Sequence, residues 1–283
     1  MDNPMLRVLI RTALFPAMLL LGACSRAPKP PAISEQQYPL KGTVLSVNAA
    51  NARLRVKHDE IPGFMEAMTM EFEATTSAEL ANIKPGDTIT GKLRVTENQT
   101  KLSEIQKTGH AAVPTEPASP NTPKLGTQLP DATLTDDSGA ALRLSDYRGK
   151  TLAITFIYTR CPLPDFCPLM NSNFATAARD LTDARCHWLS LTIDPTNDTP
   201  QLLAEYAKQF PSRDTRWKFA TGSIEEVTKL AKFAGLEIRT AGTQIDHNLR
   251  TLIVGPDGKL TKVLTGNQWK PEELAEEMRR TLR

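Results

Sequence analysis

Beyond its first thirty residues the sequence has no apolar run long enough to cross a membrane, which takes about 20 consecutive residues. It also lacks an excess of charge of either sign: 34 Lys and Arg stand against 32 Asp and Glu, a formal net charge of +2. Neither nucleic acid nor an acidic surface is therefore implied as a partner. Aromatic residues are sparse at 6%, beside 40% hydrophobic residues overall, a balance that fits globular domains joined by polar segments. Histidine occurs four times and cysteine four times, so chemistry that needs an imidazole or a thiol is confined to few positions. No internal repeat is present, and the low-complexity segments are two linkers. A chain of 283 residues has room for roughly two domains.

The beginning differs from the rest. Arg7 and Arg11 lead into an apolar stretch from Ala13 to Leu21 that closes on small residues, the layout of an export signal and not of a folded helix. Leu21-Gly22-Ala23-Cys24 resembles the lipobox of bacterial lipoproteins, in which that cysteine becomes the acylated first residue. The resemblance implies removal of residues 1–23, lipidation of Cys24 and attachment to a membrane through a lipid anchor; Ser25 in place of Asp leans towards the outer membrane. The bland alternative is a plain signal peptide with an incidental cysteine. Residues 24–37, rich in Pro, Ala and Lys, read as a tether. Residues 110–124 carry four prolines from Ala111 to Lys124 and mark a domain boundary.

Between the linkers, residues 38–109 alternate apolar with polar residues over Leu40–Val47, Ala52–His58, Met68–Phe72, Thr88–Val95 and Lys101–Ile105, with turn signals between. Five short antiparallel strands suggest a small, partly open β-barrel of the OB type. Residues 125–283 alternate strands with helices: strands at Thr151–Tyr158, His187–Ile193, Leu249–Val254 and Lys259–Leu264, helices at Pro168–Leu181, Pro200–Phe210, Ile224–Ala234 and Pro271–Leu282. The expected fold is thus an α/β domain with a central sheet, preceded by a small all-β barrel.

In the barrel, Met68 and Met70 lie two apart on one strand and share a face, and a turn over Pro62-Gly63 can bring His58 across from it. Thioethers select Cu(I) and imidazole suits copper in either state, although paired methionines also serve simply as core packing. In the α/β region, Cys161 and Cys167 sit where an apolar strand gives way to a helix, the corner where open α/β sheets display their chemistry. With Pro168 as first helical residue, Cys167 would be the N-cap, where the helix dipole favours a thiolate. The pair can close a disulfide or share a soft metal, and Pro162 and Pro164 stiffen the loop between them. In an exported chain Cys186 is then the odd thiol, read as buried. Of the histidines, His58 belongs to the barrel, His110 to the linker and His187 to a strand start. His247, in a loop ahead of a strand, is a candidate partner of the cysteines or a solvated surface residue.

The segment from His58 to Phe72, with Met68-Thr69-Met70, resembles the CusF-like copper-binding domains, periplasmic OB barrels that hold Cu(I) or Ag(I). The resemblance implies His58, Met68 and Met70 as ligands. Where that family has a metal-capping tryptophan this chain has Met65, which either adds a third thioether or packs beneath the turn. Further on, Phe156-Ile157-Tyr158-Thr159-Arg160-Cys161-Pro162, Cys167-Pro168-Leu169-Met170, Ser190 to Pro195 with Asp198-Thr199-Pro200, and Asp246-His247-Asn248 with Pro256-Asp257-Gly258 resemble the Sco/SenC family. That likeness implies a thioredoxin-like fold and copper, as Cu(I) or Cu(II), on Cys161, Cys167 and His247. It also implies service to the copper subunit of cytochrome oxidase, as metallochaperone or thiol reductant. The family has three residues between the cysteines and this chain has five. The expected function is that of a lipid-anchored periplasmic copper chaperone. The alternatives are a thiol-disulfide oxidoreductase in which Cys161 attacks and Cys167 resolves, with a barrel that merely buffers copper, and a copper-sequestering resistance protein. Asp194 is read as a turn residue ahead of a helix capped at Thr199.

Overall fold

In the computed structural model, residues 35–96, 99–113, 123–241 and 244–283 are described. The export signal, the lipobox with Cys24 and most of the second linker lie outside them.

The first domain holds β1 (Gln36–Asn48), β2 (Arg53–His58), β3 (Met68–Ala74), β4 (Asp87–Val95) and β5 (Thr100–His110). They form a closed barrel in the order β1-β2-β3-β5-β4. The expectation of a partly open, wholly antiparallel sheet is corrected here: β3 and β5 close the ring by a short parallel pairing at Glu73↔Lys101 and Ala74↔Leu102. Closure removes the exposed edges that an open five-stranded sheet would leave. Alternation supplies the interior, with Leu40, Val44, Leu54, Val56, Ile89 and Leu93 all at or below 1% exposure. β1 and β2 meet so closely at Gly42, paired with His58, that a Cβ there would lie 2.5 Å from the Lys57 carbonyl oxygen and 2.7 Å from the His58 Cα.

The second domain contains β6 (Thr133–Asp136), β7 (Ala141–Arg143), β8 (Thr151–Ile157), α1 (Cys167–Asp180), β9 (Cys186–Thr192), α2 (Pro200–Ala207), β10 (Trp217–Gly222) and α3 (Ile224–Ala234). β11 (Ile238–Ala241), β12 (Gln244–His247), β13 (Arg250–Val254), β14 (Leu260–Thr265) and α4 (Pro271–Arg280) complete it. Seven strands make one sheet in the order β14-β13-β8-β9-β10-β6-β7, and β11 pairs with β12 in a separate hairpin. Every residue of β8 is buried, as an apolar run flanked by a parallel neighbour, β9, and an antiparallel one, β13, must be. The strands anticipated at β8, β9, β13 and β14 and all four helices are present. β6, β7, β10 and the β11–β12 hairpin carry too short or too mixed a pattern to announce themselves.

Barrel and α/β domain fall within one compact unit, Ile33–Arg283. Leu163 and Phe166, from the loop between the two cysteines, pack into the barrel's hydrophobic cluster.

Candidate metal centre

The barrel side of the site is built by register. β2 and β3 pair with His58 opposite Met68 and Val56 opposite Met70, so the histidine and the two thioethers gather at one end of a hairpin. His58 is 1% exposed. Its Nδ1 donates to the carbonyl oxygen of Asp59 at 2.7 Å, which fixes the neutral tautomer with its lone pair on Nε2. That Nε2 is buried without a hydrogen-bond partner. Burial lowers the His58 pKa and so favours the neutral ring. Met65 is held by reciprocal backbone hydrogen bonds with Ile61, at 2.8 and 3.0 Å, and is buried at 4% exposure.

On the other side, β8 delivers Tyr158, and the turn after it is fastened by the fully buried Asp198. Its carboxylate accepts from the Thr159 amide at 3.0 Å and from the Thr159 and Thr192 hydroxyls at 2.5 Å each. Arg160 pairs with Asp194 at 2.6 Å, and Thr199 caps α2 by accepting from the Leu202 amide at 3.2 Å. Asp194 thus has the turn role read from the sequence and adds an ion pair beside the cysteine corner.

The two cysteines are unequal and are both thiols here. Phe166, not Cys167, is the N-cap of α1, and Cys167 is its first residue, 0% exposed. Burial, followed by the neighbouring Cys161, drives the Cys167 pKa well above its ordinary value. The helix-terminus position expected to favour a thiolate at Cys167 is thus opposed by the desolvation of a fully buried sulfur. Cys161 is half-buried, and its pKa is lowered, first by the Cys167 thiol donating to it and further by the Cys167 and Leu163 backbone and the Tyr158 hydroxyl. Burial and the adjacent cysteines raise the Tyr158 phenol, which stays a donor. Cys186 is fully buried and its thiol is pushed up to about 11, consistent with a core thiol.

His247 is not on a solvated loop. It ends β12, pairs in register with Ile238 and is 9% exposed. Its Nδ1 donates to the Asn248 carbonyl at 3.0 Å, its ring lies edge-on to Tyr158 at 6.1 Å, and burial lowers its pKa to about 4. Asn248 explains its own place in the motif: Oδ1 accepts from the Glu237 amide at 2.9 Å and Nδ2 donates to the Gly235 carbonyl at 3.1 Å, so the histidine strand is sewn to the end of α3. Asn248, Asp198 and Tyr158 stand in the sequence motifs without an assigned role, and the fold makes them positioning residues.

Met65, Met68 and Met70 line a single small cavity together with Cys161 and His247. Its volume is about 30 Å³. A groove of about 320 Å³ shares Met70 and His247 with it. Cys167 and His58 do not line either. Among the described residues, no three His, Cys, Asp or Glu side chains are arranged to hold a metal ion. Cys161, Cys167 and His247 therefore do not form a ready-made three-ligand cluster.

A seven-stranded sheet with a cysteine pair where β8 meets α1 and a histidine-bearing hairpin beside that corner defines the class: a thioredoxin-like thiol protein carrying a small β-barrel. More narrowly, the chain belongs to the SCO1/SenC family, whose model matches residues 126–283. Residues 37–107 match the model of the copper binding periplasmic protein CusF. The SCO1 protein homolog of Bacillus subtilis is 30% identical over 148 residues, 49% of this chain and 74% of that protein. The human mitochondrial SCO1 homolog is 29% identical over 154 residues, 49% of this chain but only 48% of that protein. The match thus spans about half the length of the human relative. The crystal structure of a SCO1/SenC family lipoprotein from Bacillus anthracis superposes with a TM-score of 0.52 at 24% identity, covering 56% of this chain and 97% of that one.

Proposed function

We propose that this protein is a lipid-anchored periplasmic Cu(I) chaperone of the SCO1/SenC family, with copper as cargo and the copper subunit of cytochrome oxidase as the recipient that the family likeness implies. Anchoring at the outer membrane through Cys24 belongs to the same reading and rests on the lipobox alone. Two donor sets are assigned: His58, Met68 and Met70, with Met65, in the barrel, and Cys161, Cys167 and His247 in the α/β domain. The observation that carries the reading is the pair of matched histidines. His58 and His247 each spend Nδ1–H on the following carbonyl, keep the Nε2 lone pair for a metal and sit beside soft sulfur. The orphaned Nε2 of His58 supports it further, since a buried nitrogen without a partner costs free energy unless a ligand satisfies it.

Chemically, the residues hold and release a soft cation. The neutral imidazoles need no deprotonation, and the thioethers carry no proton. A cysteine ligates as thiolate, so Cys161 and Cys167 would each lose a proton on joining the donor set; the hydrogen bonds that lower the Cys161 pKa ease the first loss, and burial makes that of Cys167 the harder one. When bound, Cu(I) is the species handed on; the protein contributes orientation and exclusion of water.

A second reading is favoured by one feature, the inequality of the thiols. An accessible cysteine of lowered pKa beside a buried one of raised pKa is the arrangement of an attacking and a resolving thiol, so disulfide reduction in a target is the alternative activity. One comparison separates the two: Cu(I) content and reduction of a model disulfide by the full reduced chain, with and without Cys161→Ser. The chaperone reading expects bound Cu(I) that a dithiol acceptor removes, reduced in the variant. Brisk disulfide reduction with no bound copper would overturn it.

A further inference from the structure

The five residues between Cys161 and Cys167 exceed what a tight cysteine corner requires, and the excess faces the barrel. Leu163, in the middle of the loop, is 6% exposed, and the core that buries it is the barrel's own. A polar strap runs beside this plug. Asn267 Nδ2 donates to the Asp165 carbonyl at 2.8 Å, and Asn267 Oδ1 accepts from Arg53 of β2 at 3.3 Å. Arg53 is in turn fixed on the barrel by Glu71 at 3.0 Å and Glu73 at 3.2 Å.

This docking creates the cavity at which three thioethers, one thiol and one imidazole meet. At about 30 Å³ it is the size of an ion or two to three waters, given about 10–15 Å³ per water. The donors are all soft or borderline, as Cu(I) prefers, and one thiolate among neutral ligands balances a single positive charge. Neither domain alone presents this set, and no three His, Cys, Asp or Glu side chains substitute for it among the described residues.

We infer that the docked protein holds one Cu(I) between its domains on a mixed set drawn from Met68, Met70, Cys161 and His247, and that Leu163 to Asp165 form the latch that assembles this site. The inference rests on the copper reading above and adds a site that neither family domain contains by itself. Copper crosses from barrel to α/β domain by ligand exchange. A Cu–thioether bond breaks as the Cu–Sγ bond to Cys161 forms, and the Cys161 proton leaves to solvent. The imidazole Nε2 of His247 gives its lone pair, and no electron moves, so the metal remains Cu(I).

The test is competition for the first equivalent of Cu(I) by a chelator, using the full reduced chain, Cys161→Ser, the pair Met68→Leu with Met70→Leu, and Leu163→Asp. If the ion is shared, the Cys161 variant and the methionine variant each weaken binding of that same first equivalent by at least tenfold. X-ray absorption at one equivalent then shows, with selenomethionine in place of methionine, copper bonded to both selenium and sulfur, and the sulfur contribution is lost in Cys161→Ser. Leu163→Asp is expected to abolish this coupling and to yield two independent equivalents. Leu163→Ala, a gentler change, is expected to weaken it, with circular dichroism confirming an intact fold. Should each single-site variant retain one equivalent at full affinity, the shared site is overturned while the chaperone reading stands. Failure of every form to bind Cu(I) would overturn both.

Discussion

At the scale of single residues, burial and not helix position decides which cysteine is reactive. Cys167 starts α1, where the dipole would lower its pKa, but it is wholly enclosed, and that burial raises it. Cys161 is partly open and collects hydrogen bonds to its sulfur. In the apo, reduced protein near neutral pH, iodoacetamide is therefore expected to label Cys161 at least tenfold faster than Cys167 or Cys186, followed by peptide mass mapping. Equal rates at Cys161 and Cys167 would contradict the asymmetry. The Cys-Pro and His motifs were plain in the sequence; the inequality of the thiols was not, because desolvation is a property of the packed neighbourhood.

At the scale of elements, two close fits lend themselves to test. Gly42 has space for no side chain where β1 passes His58. Gly42→Ala must push β2 outward, and a cost of about 1–3 kcal/mol is expected for such overpacking, together with weaker Cu(I) retention because His58 shifts relative to Met68. Denaturant unfolding and chelator competition would both register it, and an unchanged His58 environment by NMR would refute the argument. The β6–β7 turn hangs on Asp136, whose burial is outweighed by hydrogen bonds from Ser138 and Ala140 and by Lys218, leaving its pKa at about 2. A folded pKa below the ordinary carboxylate value contributes stability that is complete above about pH 4 and lost as pH falls towards 2. The contribution is roughly 2 kcal/mol. Asp136→Asn should lower stability at neutral pH and flatten its decline between pH 4 and 2, seen by urea unfolding across that range.

The strands and helices with strong periodicity could be read directly: β8 as a continuous apolar run, α3 as Ile224–Ala234, β2 and β3 from alternation. Other elements could not. β7 has three residues, and β12 is a four-residue strand paired with β11 outside the seven-stranded sheet. Its last residue is His247, so the sequence offered a loop histidine where the fold supplies a buried one.

At the scale of the whole molecule, the barrel is docked on the cysteine loop of the α/β domain. Among the described residues no helix is long and apolar enough to cross a membrane. The barrel is held by the Leu163 plug and the Arg53–Asn267–Asp165 strap. Asn267→Ala leaves the Arg53 guanidinium and the Asp165 carbonyl without this bridge, and a loss of about 1–3 kcal/mol of docking free energy is expected. Faster amide exchange confined to the segment around Leu163 and to the barrel strands facing it would report it, with the seven-stranded sheet unchanged. Exchange unaltered throughout would mean that the strap contributes nothing to docking.

Residue identity and local periodicity pointed to a β-barrel followed by an α/β domain, with His58, Met68 and Met70 on neighbouring strands and Cys161 and Cys167 at a strand-to-helix corner, while the family resemblance singled out His247. Those features depend on short-range chemistry: alternation, turn residues and the ligand preferences of sulfur and imidazole. Tertiary structure alone decided that Cys167 is enclosed, that the extended cysteine loop feeds Leu163 into the other domain, and that Cys161 and His247 face the methionines across one cavity. Each of these depends on burial and on contacts between residues a hundred positions apart, which no local pattern encodes.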